Sequence, residues 1–428
     1  MSSMDIDVHY VTRVEGHGNL KARIRDGQLE ECRWEIPEAA RFFEFMIVGR
    51  PYYDAPFITS RICGICSIGH TFAAIHGVES AIGFVPSEQT MLLRKLLIHG
   101  ETVQSHVLHA GYLAAPDFVG APSVVPLAAS HKEVVLLVVR LHRLANEWCD
   151  LIGGRTTHPI RAVVGGWTRL PTPEELQGLR QRIVAALPDV EAAVEFFCGL
   201  PVPPFTRETE YLALKKAGEY AWYGGDIAST DGDVTPLPEY RRKVKEFIVP
   251  YSTSKRARAS RSSYAVGALA RVNVNYEQLT PLAKKAAVAL GVKPVTCNPY
   301  LNSAAQLVEV AHAMEDSLHL IDELLGRGLR EEGYAVEVRP GTGVGGIEVP
   351  RGTLYHEYTI DAEGVITTAN FIIPTGQNHQ NIEDDLQALV PSLAGKSKEE
   401  ITLAMEMLVR AYDPCISCST HLLEVEFV

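Results

Sequence analysis

The sequence predicts an α-rich α+β protein, a single large domain with a core of long helices and small peripheral β-sheets. Three observations carry that expectation. Long stretches repeat apolar residues at the period of a one-sided helix face. Short alternating runs of β-type residues lie outside those stretches. No linker, internal repeat or low-complexity tract divides the 428 residues. With 46% apolar and 21% charged residues, the chain can bury a core without disulfide or metal staples.

Residues 1–36 read as an N-terminal β segment. Val8, Tyr10, Gly16 to Leu20 and Leu29 to Trp34 form extended pieces, with Arg25-Asp-Gly at a turn. Residues 86–330 read as the helical core. Pro86 opens a helix in which Leu93, Leu96, Leu97, Val103, Val107 and Leu108 recur to about Tyr112. A second helix runs from about Ala129 to Leu151, with Val134, Leu137, Val138, Leu141 and Leu144 as its apolar face. A third, over 173–196, starts at the capping signal Thr172-Pro-Glu-Glu. Residues 200–265, rich in Pro, Gly, Tyr and charge, predict an irregular surface excursion with Trp222-Tyr-Gly-Gly at a turn. Ser303 to Leu325 carries the stripe Leu307, Val310, Ala311, Met314, Leu318, Ile321 and Leu325, read as core packing. Residues 335–373 alternate Val, Ile and Tyr with polar residues and predict a small sheet. Within them Gly341-Thr-Gly-Val-Gly-Gly reads as a turn, because no clear helix follows it to make a phosphate loop. Residues 397–421 form a last helix, to about 411, and a cysteine motif.

Lys plus Arg is 40 and Asp plus Glu is 52, a net charge of −12. That excess argues against nucleic acid or an anionic membrane as partner. No apolar run approaches the roughly 18–20 residues of a membrane span; the densest, Val134 to Val139, is far shorter. Met1-Ser-Ser-Met-Asp-Ile-Asp lacks the basic start and apolar core of a signal peptide, and eight cysteines in so long a chain fit the reducing cytosol, so a cytoplasmic location is expected.

Of eight cysteines, Cys32, Cys149, Cys198 and Cys297 stand alone, and the others form Cys63-Gly-Ile-Cys66 and Cys415-Ile-Ser-Cys418. Eight in a chain this long is not a disulfide framework. Two Cys-x-x-Cys pairs can point four sulfurs at one ion. Structural zinc is one reading. Zinc pairs normally lie close in sequence, however, and these sit near opposite ends, flanked by Arg61 and His70 and by Asp413 and His421. Four soft thiolates equally suit nickel and iron in a redox site.

Arg61-Ile-Cys-Gly-Ile-Cys-Ser-Ile-Gly-His70 and Asp413-Pro-Cys-Ile-Ser-Cys-Ser-Thr-His421 resemble the two motifs of the nickel–iron hydrogenase large subunit. Arg13-Val-Glu-Gly-His17, Val349-Pro-Arg-Gly352 and Ile373-Pro-Thr375 with Asn378 resemble three further motifs of that family, in its order. His158-Pro and Gly165-Gly-Trp-Thr fit it as well. Arg41-Phe-Phe-Glu44 and the compact length resemble its cytoplasmic, cofactor-coupled group.

The resemblance implies reversible cleavage of H2 to protons and electrons at a thiolate-bridged nickel–iron centre with carbon monoxide and cyanide on iron. Cys63 and Cys415 match terminal thiolates on nickel, and Cys66 and Cys418 match bridging thiolates. His70 matches a histidine that hydrogen-bonds a bridging sulfur. Glu15 matches a proton-relay carboxylate. Arg351 matches a guanidinium over the open metal position, paired with Asp413 and preceded by Pro350 as a rigid wall. Thr375 matches a donor to the iron cyanides. Glu44 and His421 match ligands of a separate magnesium-type site (Mg2+ or Fe2+) near the C-terminus. Many relatives have an aspartate where Ser105 precedes His106. A maturation protease usually cuts after the equivalent of His421, which makes 422–428 a possible cleavable tail.

The chain has no cysteines at iron–sulfur spacing beyond these pairs and no nucleotide-binding loop. The resemblance therefore implies an iron–sulfur small subunit, with further flavin or iron–sulfur subunits passing electrons to a soluble acceptor such as NAD(P) or ferredoxin. The alternatives are a structural zinc protein, or a non-catalytic scaffold related to the quinone-site subunit of complex I. Relatives of the scaffold kind lack the cysteine pairs that are present here.

Overall fold

Residues 3–421 are described by the structure, a computed structural model; the tail expected at 422–428 lies outside them. Capping fixes where the long helices begin. Ser87 Oγ accepts from Thr90 N at 3.0 Å and opens Glu88–Val107. Thr172 and Glu175 form the reciprocal box that opens Pro173–Cys198. Ser397 and Glu400 do the same for Lys398–Ala411. The helix Glu88–Val107 packs between Lys132–Gly153 and Asn302–Arg327, and Pro173–Cys198 contacts both of those, closing a ring of four. Leu93, Leu96, Leu97, Leu141, Val310, Met314 and Ile321 fill its interior. Each such side chain contributes about 1.5–3 kcal/mol through burial.

At the N-terminus, Met4–Val8, Asn19–Arg25 and Gln28–Glu35 form an antiparallel meander. A second antiparallel sheet, Gly341–Val349, Gly352–Ile360 and Ile366–Ile372, lies on the helix Ser67–Ile82. No helix among the described residues is long and apolar enough to cross a membrane.

The structure corrects four expectations. Gly341-Thr-Gly-Val-Gly-Gly is a strand rather than a turn. A Cβ on Gly343 would lie 2.1 Å from Ala81 N, and one on Gly345 would lie 2.2 Å from Ala73 O. These glycines exist for close approach of strand to helix, not for turning. Residues 200–265 are not an irregular surface excursion. They hold a four-stranded sheet in the order Tyr264–Ala265, Glu210–Lys215, Asp226–Ser229, Val234–Thr235. Tyr211, Leu212, Leu214, Trp222 and Tyr223 are buried there. Strands this short fall below what alternation can reveal, although Gly224 and Gly225 do make the expected turn at positive φ. The helix expected over 129–151 is two, Val124–Ser130 and Lys132–Gly153, broken at His131. The helix expected to reach Tyr112 ends as α-helix at Val107 and continues as a π turn, Leu108–Ala114.

Two long helices were not foreseen, Ser67–Ile82 and Pro374–Ser392. In the first, every residue but His76 and Ser80 is buried, so no polar face marks its period. These unforeseen elements frame the cysteines.

Candidate metal centre

A 3-10 turn at Ser60–Ile62 delivers Cys63 in extended conformation. The Cys63 sulfur accepts from Ile65 N at 3.2 Å and Cys66 N at 3.0 Å, which curls the loop so that Cys66 sits at the N-cap of Ser67–Ile82. The second pair follows Lys398–Ala411, with Cys415 capping the short helix Ile416–Ser419. What joins the ends of the chain is a parallel bridge between Glu15 and Cys415, in which Ile416 N donates to Glu15 O at 2.9 Å. The four sulfurs are buried and free, and all lie within 4.8 Å of one another, with Cys63 and Cys415 at 3.6 Å.

The four thiols do not ionise alike. Burial opposes ionisation of Cys63, but hydrogen bonds from Cys415, Cys418 and Cys66 outweigh it and hold that thiol well below its ordinary value. Neighbouring sulfurs and burial hold Cys66 and Cys415 well above theirs, and burial first pushes Cys418 up to about 11. Three of the four thiols are thereby held protonated, so ligation of a metal by all four would release their protons. The soft donor set fits nickel and iron.

Arg351, 3% exposed, roofs the chamber from the turn between Gly341–Val349 and Gly352–Ile360. Its Nη2 donates to Asp413 Oδ1 at 2.7 Å and its Nη1 to Ser105 Oγ at 3.1 Å. Burial disfavours its charge, but Asp413 and the cysteine sulfurs outweigh that and keep it protonated. Asp413 sits at φ +51°, a backbone region rare for a non-glycine residue. Gln306 Nε2 donates to its other oxygen at 2.9 Å. Pro350 O accepts from Arg271 Nη2 at 3.0 Å. Thr375 Oγ1 accepts from Cys415 N at 3.0 Å, which leaves its own hydroxyl hydrogen free to donate.

Glu15 reaches the centre from the N-terminal segment. Its Oε2 accepts from Cys415 Sγ at 3.1 Å and from Ser417 N at 3.1 Å. His70 is 1% exposed, but Nδ1 faces His356 Nε2 at 3.3 Å rather than a cysteine sulfur. Burial lowers it to about 4, so it is neutral at pH 7. Glu44 and His421 lie beside Phe371: Glu44 Oε1 accepts from Phe371 N at 2.6 Å, and the His421 ring is 6.5 Å from that of Phe371. His421 Nδ1 faces Arg41 O at 3.1 Å, and its Nε2 is buried with no hydrogen-bond partner among the described residues.

Sequence reasoning missed several groups here. Glu101 is buried and accepts from Ile68 N and Gly69 N at the start of the cysteine-bearing helix. Burial, with Cys63 nearby, pushes it up to about 8. Arg271 joins Glu309, Glu348, Val349 O and Pro350 O behind Arg351. Gln306 lies on a helix whose stripe reads only as core. A buried polar residue among apolar neighbours on a core helix was the available signal.

The sequence pattern of the family described as nickel-dependent hydrogenase matches residues 41–135 and 206–421. The chain is 32% identical over 424 residues to sulfhydrogenase 1 subunit alpha of Pyrococcus furiosus, covering 99% of each chain. It is 28% identical to the NAD-reducing hydrogenase HoxS subunit beta of Cupriavidus necator, covering 96% of this chain and 94% of that one. A crystal structure of an NAD+-reducing nickel–iron hydrogenase in the H2-reduced state superposes with TM-score 0.86 at 29% identity, over 98% of this chain and 100% of the other. The chain belongs to the nickel-dependent hydrogenase family, as a large catalytic subunit whose reaction is the cleavage of H2.

Proposed function

We propose that the four-cysteine chamber is the catalytic centre, with Cys63 and Cys415 terminal on nickel and Cys66 and Cys418 bridging it to an iron that carries carbon monoxide and cyanide. The observation that carries this reading is the convergence of four buried, unpaired sulfurs within 4.8 Å. When bound, the bimetallic group supplies heterolytic cleavage of H2. The chain's own residues do the rest. Glu15, touching Cys415, takes a proton from that sulfur and passes it outward. Arg351, held by Asp413, places a fixed positive charge over the reacting position. Pro350 stiffens that turn, and Thr375 offers its hydroxyl to a cyanide. His70, buried close enough to Cys63 to feel its charge, would tune that sulfur. Glu44 and His421 would hold a magnesium-type ion: the His421 Nε2 has no partner among the described residues, and Glu44 lies beside the same Phe371.

Electrons must leave through a partner. Phe42, Phe45, Met46, Val48, Tyr53 and Phe57 are exposed together just before the first cysteine pair. That apolar surface beside the chamber fits an iron–sulfur small subunit. Further flavin or iron–sulfur subunits, a soluble acceptor such as NAD(P) or ferredoxin, a maturation protease and a cytoplasmic location complete the reading. The relatives named for sulfhydrogenase and NAD-reducing hydrogenase support it. Metal analysis with infrared spectroscopy tests it. Nickel and iron, with metal-bound carbon monoxide and cyanide bands, are expected; zinc alone, or no metal, overturns it.

A further inference from the structure

We propose that Arg41 is a positioning residue of the metal centre: its guanidinium ties the loop of the first cysteine pair to the loop of the second. It thereby fixes the spacing of thiolates that arrive from opposite ends of the chain. Nη1 donates to Ile62 O at 2.7 Å and to Ser417 O at 3.2 Å, and Nη2 donates to Arg61 O at 3.0 Å. Arg61 and Ile62 immediately precede Cys63, and Ser417 lies between Cys415 and Cys418. The Arg41 backbone extends the tie. Its N–H donates to Thr420 O at 2.7 Å, and its carbonyl faces His421 Nδ1 at 3.1 Å.

Among the described residues, the other neighbours hold one loop each. Glu15 and Thr375 bond the second, while His158 bonds Ser60 O ahead of the first. Direct contacts between the loops run through the thiols themselves, Cys63 to Cys415 and Cys418 to Ile62 O at 3.8 Å. Those thiol contacts change once sulfur ligates metal. The Arg41 tie uses backbone carbonyls and does not. Only a planar fork with several donors meets three carbonyls on two loops from one stem; a lysine ammonium is a single point. The ring of Phe43, 4.9 Å from the Arg41 guanidinium carbon, orients that plane. The half-buried position also leaves the clamp removable without burying an orphan charge.

The inference rests on the four-cysteine reading, and the test separates the two. Arg41→Gln and Arg41→Lys are made in the assembled holoenzyme, with exposed Arg50→Gln as a surface control. The measurements are nickel and iron per chain, carbon monoxide and cyanide band positions, melting temperature, and kcat and KM for H2 with a dye acceptor. In Arg41→Gln, kcat falls about tenfold or more with KM within about twofold, because ångström-scale misplacement costs turnover rather than binding. The bands shift or split, nickel occupancy drops, and the melting temperature stays close to wild type. Arg41→Lys moves in the same directions by less, and it decides the matter should the Gln variant fail to accumulate. Wild-type bands, metal content and kcat in either variant overturn the clamp. So does a lowered melting temperature with unshifted bands. Wild-type enzyme without nickel and iron instead sinks the cysteine reading.

Discussion

Replacing Glu15 with Gln separates proton transfer from structure at this site. The carboxylate Oε2 makes two contacts, 3.1 Å from Cys415 Sγ and 3.1 Å from Ser417 N. A Gln side chain has the same shape, and its amide oxygen still accepts from Ser417. One charge-assisted bond becomes neutral, a loss of about 1 kcal/mol. The main-chain bridge from Ile416 N to Glu15 O is untouched. The amide cannot, however, accept a proton from Cys415 and hand it on. Positioned acid–base groups are worth about 10²–10⁴ in rate. Glu15→Gln should therefore cut exchange between H2 and D2O, followed by mass spectrometry, by about a hundredfold or more. Nickel, iron and melting temperature should remain near wild type. Exchange within about threefold of wild type, with full metal loading, would refute the relay, since the acid–base range starts far above that.

Cys415→Ser exchanges a soft ligand for a hard one. Nickel and H2 exchange should be lost while the circular dichroism of the fold is kept, and one nickel per chain in that variant would remove Cys415 from the ligand set. Asp413→Asn strips the counter-charge from a buried guanidinium, at a cost of about 3–5 kcal/mol. A clearly lower melting temperature and reduced kcat are expected, and an unchanged melting curve would contradict the buried pair. Gly345→Val drives a Cβ to 2.2 Å from Ala73 O, so denaturant titration should show a loss of about 1–3 kcal/mol or more. Wild-type stability there would mean the strand does not lie on the helix. His312 is lowered to about 4, and His379 to about 3, chiefly by burial. Unfolding returns each towards 6.5, so the unfolded chain binds more protons in between. Their stabilising effect is complete above about 6.5 and declines by up to about 1.4 kcal/mol per group per pH unit as acid is added. Melting temperature should fall steadily from pH 6.5 towards 4.5, and a flat profile would show these rings to be accessible to protons.

The parts of the fold legible in the sequence are those whose cause is local. The caps at Thr172 and Ser397 act within one helical turn, and the stripe from Leu307 to Leu325 repeats within one element. The parts that were not legible depend on what an element meets. The glycines of Gly341–Val349 look like turn residues until Ala73 and Ala81 occupy the space where side chains would go. The helix Ser67–Ile82 hides its period because the sheet and the surrounding helices bury it on all sides.

The same division runs through the candidate site, and there it has a chemical reason. Cysteines, Glu15, Arg351 and Asp413 stand out because their side-chain chemistry is what a metal, a proton or a counter-charge needs. The structure gathers them around one chamber. Arg41 acts on backbone carbonyls, which every residue possesses, so no pattern of residue types marks its targets. Yet the thiolates cannot be placed without such ties. The four sulfurs arrive on two loops, and nothing covalent joins the loops that carry them. Some fixed element must hold those loops at ligating distance before the metal arrives. Glu15 does so for one loop through its main-chain bridge, and the Arg41 fork spans both. A site built this way places its chemistry in residues that a motif can reveal and its geometry in residues that only the folded chain discloses.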